Sequence, residues 1–283
     1  RPAMRGLAEQ LMAALQREGQ GLNAQGESCE EADGHTVPYV LAAGDSKSLH
    51  FSFMAVQSRM DLNRPERLSL TYTRTMMGFL LFNAQPKSVA MIGLGGGSLA
   101  RFILHHLPLA TLKVVEINPN VVDLRREFLL PDDGERFKVR LGDGAEFVRA
   151  PPRRFDALLV DGFDVQGQPP ELASLDFYRD CAECLAPEGV LVVNLCPAYA
   201  GFARQMSDIG RVFDGNVVSV YDDECSNTVV FASRAPLREL FVRHGWRCRR
   251  YLPTVAYEEL LSALRKVVAT LGGPELRREA EGI

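Results

Sequence analysis

A chain of 283 residues that is 46% apolar and 24% charged can bury a sizeable core, as one large domain or two small ones. Its formal net charge of −4 leaves no global basic field to recruit nucleic acid or anionic lipid, although Arg247, Arg249 and Arg250 form a local basic run. No run approaches the roughly 18 apolar residues of a membrane span, no apolar leader opens the sequence, and only Cys181 and Cys184 of the six cysteines lie close together; the expectation is a cytoplasmic protein with reduced thiols and no metal.

Leu7, Leu11 and Leu15 give residues 3–18 helical spacing, whereas Gly19 to Gly34 is too polar to bury much, so 1–34 reads as an N-terminal helix and flexible arm. Two β-prone runs, 38–41 and 49–54, are split by the turn former Ala43-Gly44-Asp45-Ser46, and 35–64 reads as a small β-rich lobe. Residues 66–82 place Leu68, Tyr72, Met76, Phe79 and Leu80 on one helical face. Apolar strands then alternate with helices: strands at 88–92, 111–116, 137–143, 155–161 and 189–194, helices after Ser98, at 119–130, 145–149, 175–185 and 199–212. Such alternation predicts a doubly wound parallel sheet covered on both faces. Strands 216–221 and 227–232 are joined by only five residues, too few for a parallel crossover, so they form an antiparallel hairpin. The fold class is therefore α/β, a Rossmann-like seven-stranded sheet with one reversed strand. Helices at 236–244 and 255–270 follow, and the domain reading is 65–253 with a C-terminal helix in 254–283.

The segment Ser88-Val89-Ala90-Met91-Ile92-Gly93-Leu94-Gly95-Gly96-Gly97-Ser98 is a strand that breaks into a glycine turn and then a helix. Glycines there let the backbone approach a nucleoside closely. Gly93, Gly95 and Gly97 are the cofactor-binding candidates; Ser98 stands where a dinucleotide fingerprint has its third glycine, which favours an S-adenosylmethionine-type ligand over NAD. In open α/β sheets ligands lie at the carboxyl ends of strands, and those ends are acidic. Glu116 can accept from both ribose hydroxyls, Asp143 from an adenine amino group with Gly144 leaving room for the ring, and Asp161 and Asp164 can hold and deprotonate an amine. A single acid of this kind equally serves as a helix cap or Asx turn; His105-His106 reads as a helix end, and Asp222-Asp223-Glu224 as a solvated acidic turn that, on the active-site edge, would attract a cationic substrate.

Residues 49–233 resemble the spermidine synthase-like (polyamine aminopropyltransferase) family, whose sheet is of the Class I methyltransferase type. The resemblance rests on Ile92 to Gly97 with Arg101, Val115-Glu116-Ile117-Asn118, Gly142-Asp143-Gly144 with Phe147, and Phe155-Asp156 leading into Val160 to Asp164. It implies that Glu116 binds ribose, Asp143 binds adenine, Asp161 or Asp164 handles the attacking amine, and Gln57 touches the donor. Two positions depart: Gly96 replaces an aspartate that grips the donor's aminopropyl ammonium, and Tyr72-Thr73-Arg74 replaces a tyrosine-histidine/glutamine-glutamate stretch. A carboxylate would repel the carboxylate of ordinary S-adenosylmethionine, so Gly96 favours that donor over its decarboxylated form. The expected activity is accordingly alkyl (methyl) transfer to a small-molecule, cationic amine or other nucleophile, with spermidine synthesis from decarboxylated S-adenosylmethionine, or a non-catalytic nucleoside-binding module, as alternatives. A second copy of the chain is the expected assembly partner; nucleic acid and membrane are not expected.

Overall fold

The computed structural model describes residues 31–32, 35–52, 55–163, 167–222, 224 and 226–272. The expected helix at 3–18, most of the arm, and Asp164 lie outside the described residues. A two-residue antiparallel pair, β1 (Glu31–Ala32) and β2 (His35–Thr36), precedes a three-stranded antiparallel sheet of β3 (Tyr39–Ala43), β4 (Ser46–Ser52) and β5 (Ala55–Asp61). The large sheet comprises β6 (Ser88–Ile92), β7 (Thr111–Glu116), β8 (Phe137–Leu141), β9 (Phe155–Val160), β10 (Leu185–Leu195), β11 (Val217–Asp222) and β12 (Asn227–Ala232), in the order β11-β12-β10-β9-β6-β7-β8. Only β12 is reversed, antiparallel to both β10 and β11. The β11–β12 turn therefore lies on the edge where the parallel strands end.

Side chains of the central strands alternate between two cores. Val89, Met91, Ala157 and Leu159 join the helices Ser98–His106, Leu237–His244 and Thr254–Leu271 on one face. Ala90, Ile92, Leu158 and Val160 join the helices Gly144–Arg149, Leu175–Cys184 and Phe202–Val212 on the other. This is the covered, doubly wound sheet that continuous apolar strands require. The four described cysteines are free, and burial pushes the Cys184 thiol up to about 12 and that of Cys248 to about 11. Among the described residues no helix is long and apolar enough to cross a membrane.

Two helices are shorter than their periodicity predicts. The expected helix at 66–82 starts at Thr71 and tightens to a 3₁₀ turn from Met77 to Leu81. Tertiary bonds hold Leu68 out of it: its N–H donates to Glu259 Oε1 at 2.6 Å and its carbonyl accepts from Arg74 Nη1 at 3.3 Å. The five residues predicted on its inner face are nevertheless all buried. The helix expected at 119–130 ends early, with Leu129 in the left-handed region at φ 55°. That turn sends Phe128 under the small lobe, where it packs with Leu49 and Met60.

The lobe is fastened to the glycine turn. Ser58 Oγ on β5 lies 3.0 Å from Ser98 Oγ, and Asn118 Nδ2 donates to the Thr36 carbonyl at 2.7 Å. Arg101 completes the joint from below, donating to the carbonyls of Gly96 at 2.5 Å, Phe128 at 2.7 Å and Pro65 at 2.8 Å. Burial of this guanidinium lowers its pKa to about 10. Removing it strands those carbonyls in a dry site, where each lost partner costs on the order of 1 kcal/mol or more. Arg101→Met is expected to destabilise the fold by about 2–4 kcal/mol in urea unfolding.

Candidate active site

The edge formed by the ends of β6, β7, β8 and β9 carries most of the residues singled out above. Its centre is the turn after β6, where the Gly93 N–H donates to the Val115 carbonyl and the Asp161 N–H to the Ile92 carbonyl, both at 2.9 Å. Gly93 has φ 88°, and a Cβ there would run into the Asp161 carbonyl oxygen. Gly97, at φ 70°, caps the following helix in the left-handed conformation with Leu130 filling the space of a side chain. Gly95 differs: it has φ 51° and nothing stands within 4 Å of a Cβ position, so its surface is open to a ligand.

Gly96 is the informative position. Its φ is outside the positive region, so its backbone conformation does not require glycine. Space is the limit, because a Cβ would stand 2.6 Å from Ser58 Oγ and 3.1 Å from Phe128 Cε1. The volume that a larger residue would enter is thus taken by β5 and by the segment beyond β7.

Glu116 ends β7 with 7% of its surface exposed, accepting from the Leu94 N–H at 2.7 Å and the Asn118 N–H at 2.9 Å. Burial holds its carboxyl above the ordinary range, partly offset by these backbone donors. The Gly95 and Ile117 N–H groups also favour its charged form, so the loop's main chain surrounds this carboxylate. Asp143 caps the Gly144–Arg149 helix through the Ala145 N–H at 2.6 Å, the capping role the sequence left open for it. A Cβ on Gly144 would overlap Ile92. Ile117 and Leu141, beside these acids, are 54% and 55% exposed, an apolar pair that periodicity gives no reason to single out. Gln57 is the extra residue of a β-bulge, lying between Val56, which pairs with His50, and Ser58, which pairs with Leu49. Bulges of this kind re-aim a side chain next to a site.

Asp161 follows β9. Its Oδ1 accepts from Asn194 Nδ2 at 2.8 Å and its Oδ2 from Tyr72 Oη at 3.2 Å. Desolvation pushes its carboxyl up, and the Asn194 and Tyr72 bonds pull it back in part. Tyr72 reads in the sequence as core, and Asn194 as the last position of an apolar strand; no local pattern marks either as a partner of Asp161. Arg74 turns to the Leu68 carbonyl on the side of the C-terminal helix. Asp222, read as solvated, is 2% exposed: its Oδ1 accepts from Thr71 Oγ1 and from the Glu224 N–H, each at 2.9 Å. His106 is buried against Phe102 at the end of its helix, with its pKa lowered to about 4 by burial and by His105. No group of three or more His, Cys, Asp or Glu placed for a metal occurs among the described residues.

A glycine turn over an acid-lined strand edge, roofed by a small β lobe, fits the comparisons with known proteins. A sequence description of the spermine/spermidine synthase domain matches residues 69–199. A polyamine aminopropyltransferase from Chromobacterium violaceum is 43% identical over 195 residues, 68% of this chain and 74% of its own length. One from Neisseria meningitidis is 38% identical over 198 residues, 69% and 75% of the two chains. The chain belongs to the polyamine aminopropyltransferase family. The crystal structure of a probable spermidine synthase from Corynebacterium glutamicum superposes with a TM-score of 0.63 at 20% identity, covering 87% of this chain and 90% of that one, and so shares its fold. This aminopropyltransferase-family chain is a transferase with a donor of the S-adenosylmethionine type.

The raised carboxyl of Asp161 has a stability consequence of definite sign. The unfolded chain ionises this group at about pH 4, while the folded protein still holds its proton, so stability falls as pH rises from there through the folded pKa. Asp161→Asn removes that loss. Its melting temperature should gain on that of the wild type as pH rises from about 4 toward neutral, as read by scanning calorimetry of the ligand-free protein.

Proposed function

We propose that this protein transfers an aminopropyl group from decarboxylated S-adenosylmethionine to a small amine, with Asp161 receiving the proton of the attacking nitrogen. The observation that carries this reading is the position of Asp161 at the carboxyl end of β9, with one donor on each oxygen and a carboxyl held above its ordinary range by burial. A base whose pKa is drawn toward the working pH suits proton removal from an ammonium. The names of the relatives from C. violaceum and N. meningitidis, aligned over about three quarters of their length, support aminopropyl transfer over the methyl transfer expected from Gly96.

The donor's sulfonium supplies an electrophilic carbon, which leaves the protein the tasks of orientation and proton removal. In this reading Glu116 turns its carboxylate to the ribose hydroxyls, and Asp143 offers Oδ2 to the adenine amino group while Oδ1 stays on the helix. Ile117 and Leu141 provide apolar surface for the ring, and Gln57 reaches toward the donor from its bulge. Asp164 keeps its proposed role beside Asp161 on the sequence resemblance alone.

One observation sustains a second reading, methyl transfer from ordinary S-adenosylmethionine. No carboxylate grips the donor's ammonium from position 96, since Ser58 and Phe128 fill the direction a side chain would take. Parallel calorimetric titrations with the two donors, followed by product analysis with a diamine, separate the readings. Tighter binding of the decarboxylated donor and formation of the aminopropylated amine are expected; binding of ordinary S-adenosylmethionine alone would overturn the first reading. Asp161→Asn should lower kcat by about 10²–10³-fold while donor affinity stays within about twofold.

A further inference from the structure

The two bonds that fix Asp161 lead back to one rung of the β11–β12 hairpin. Asp222 and Asn227 face each other as the last pair of that ladder. On one side, Asn227 Nδ2 donates to Asn194 Oδ1 at 2.8 Å, and Asn194 Nδ2 donates to Asp161 Oδ1 at 2.8 Å. An amide has one acceptor end and one donor end. With its oxygen committed to Asn227, Asn194 can present only its NH₂ to Asp161. On the other side, Asp222 Oδ1 accepts from Thr71 Oγ1 at 2.9 Å. Thr71 opens the Thr71–Met76 helix, which has no side-chain cap of its own at Leu70, and the next residue, Tyr72, donates to Asp161 Oδ2.

We propose that Asp222 is a positioning residue for the transfer, acting with Asn227 so that the hairpin clamps both carboxylate oxygens of Asp161. Asp222 sets the start of the tyrosine helix, and thereby the reach of the Tyr72 hydroxyl. Asn227 sets the direction of the Asn194 amide. The groups that face Asp161 among the described residues are the Tyr72 hydroxyl from the helix, the Asn194 amide from β10 and the main chain of the Gly93 turn from β6. A misdirected donor on either side turns the carboxylate away from the attacking nitrogen, and misplacement by about 1 Å costs up to 10²-fold in rate.

This inference rests on the transferase reading given above, and steady-state kinetics of the variants test it. Asp222→Ala should lower kcat by about 10–100-fold with KM for donor and amine within about twofold of wild type. Asp222→Asn, which keeps an Oδ1 acceptor for Thr71, should restore kcat to within about threefold. In a Tyr72→Phe background, Asp222→Ala should cost less than about twofold more, because both act through one bond. Unchanged kcat in Asp222→Ala, an equal loss in Asp222→Asn, or a rise confined to the amine KM would each overturn the proposal. If the wild type transfers no aminopropyl group, the functional reading fails, and the clamp is tested without turnover. Carbon-13 titration of the Asp161 carboxyl in the ligand-free protein should then show a higher pKa in Asp222→Ala than in wild type, and an unchanged titration overturns the clamp.

Discussion

The backbone of Gly93 lies directly against the main-chain carbonyl of Asp161, closer than any side chain on Gly93 would allow. This contact joins the end of β6 to the end of β9, and the hydrogen bonds from Gly93 N to Val115 O and from Asp161 N to Ile92 O lock it on both sides. The backbones of the glycine turn that would take the donor and of the acid that would take the acceptor's proton are thereby joined directly. The Tyr72 and Asn194 side chains then set where the Asp161 carboxylate points. Glu116 binds the same turn from the β7 side through Leu94 N–H, and Arg101 from below through the Gly96 carbonyl. Three neighbouring strands and the first helix after them thus converge on five residues.

That convergence concentrates buried charge. Glu116 and Asp161 are both desolvated carboxyls with raised pKa, and Arg101 is a desolvated guanidinium whose partners are carbonyl oxygens and the Ser98 hydroxyl. None of the three gains from burial as an apolar side chain would, and each is kept by hydrogen bonds that satisfy it in place. A site of this kind opposes the stability of the fold that surrounds it, which the two extensive apolar cores on either side of the sheet offset.

Much of this was legible in the sequence because it rests on local pattern. Strands β6 to β9 are short apolar runs with glycine or acid at their ends, and the five-residue link between β11 and β12 excludes a crossover, so sheet class and reversed strand follow from spacing alone. Glu116, Asp143 and Asp161 stand out because an ionisable residue closing an apolar strand is conspicuous. The remainder depends on contacts distant in sequence. Tyr72 reads as core until its hydroxyl is seen on Asp161, 89 positions later. Asp222 reads as solvated because its neighbours are acidic, but in the fold it is buried and bonded to Thr71, distant in sequence. Helical periodicity continues through Leu68, and bonds to Glu259 and from Arg74 hold its backbone outside the helix. The bulge at Gln57 leaves no trace in a strand's alternation until the register with β4 is drawn. Gly96 combines both cases: its departure from the family is plain in the sequence, but the occupation of its side-chain space by Ser58 is not.

Because β12 inserts between β10 and β11, the order in which the chain is made has a bearing on the order in which the site is completed. The residues proposed to hold the nucleoside, from Gln57 to Gly144, precede in the chain the strands that carry Asn194 and Asn227. The Asn194 amide has no fixed direction until Asn227 has been added, and β12 cannot be seated before both of its flanking strands exist. The donor end that Asn194 turns to Asp161 is thus set by a residue 33 positions later in the chain, on a strand seated between two others.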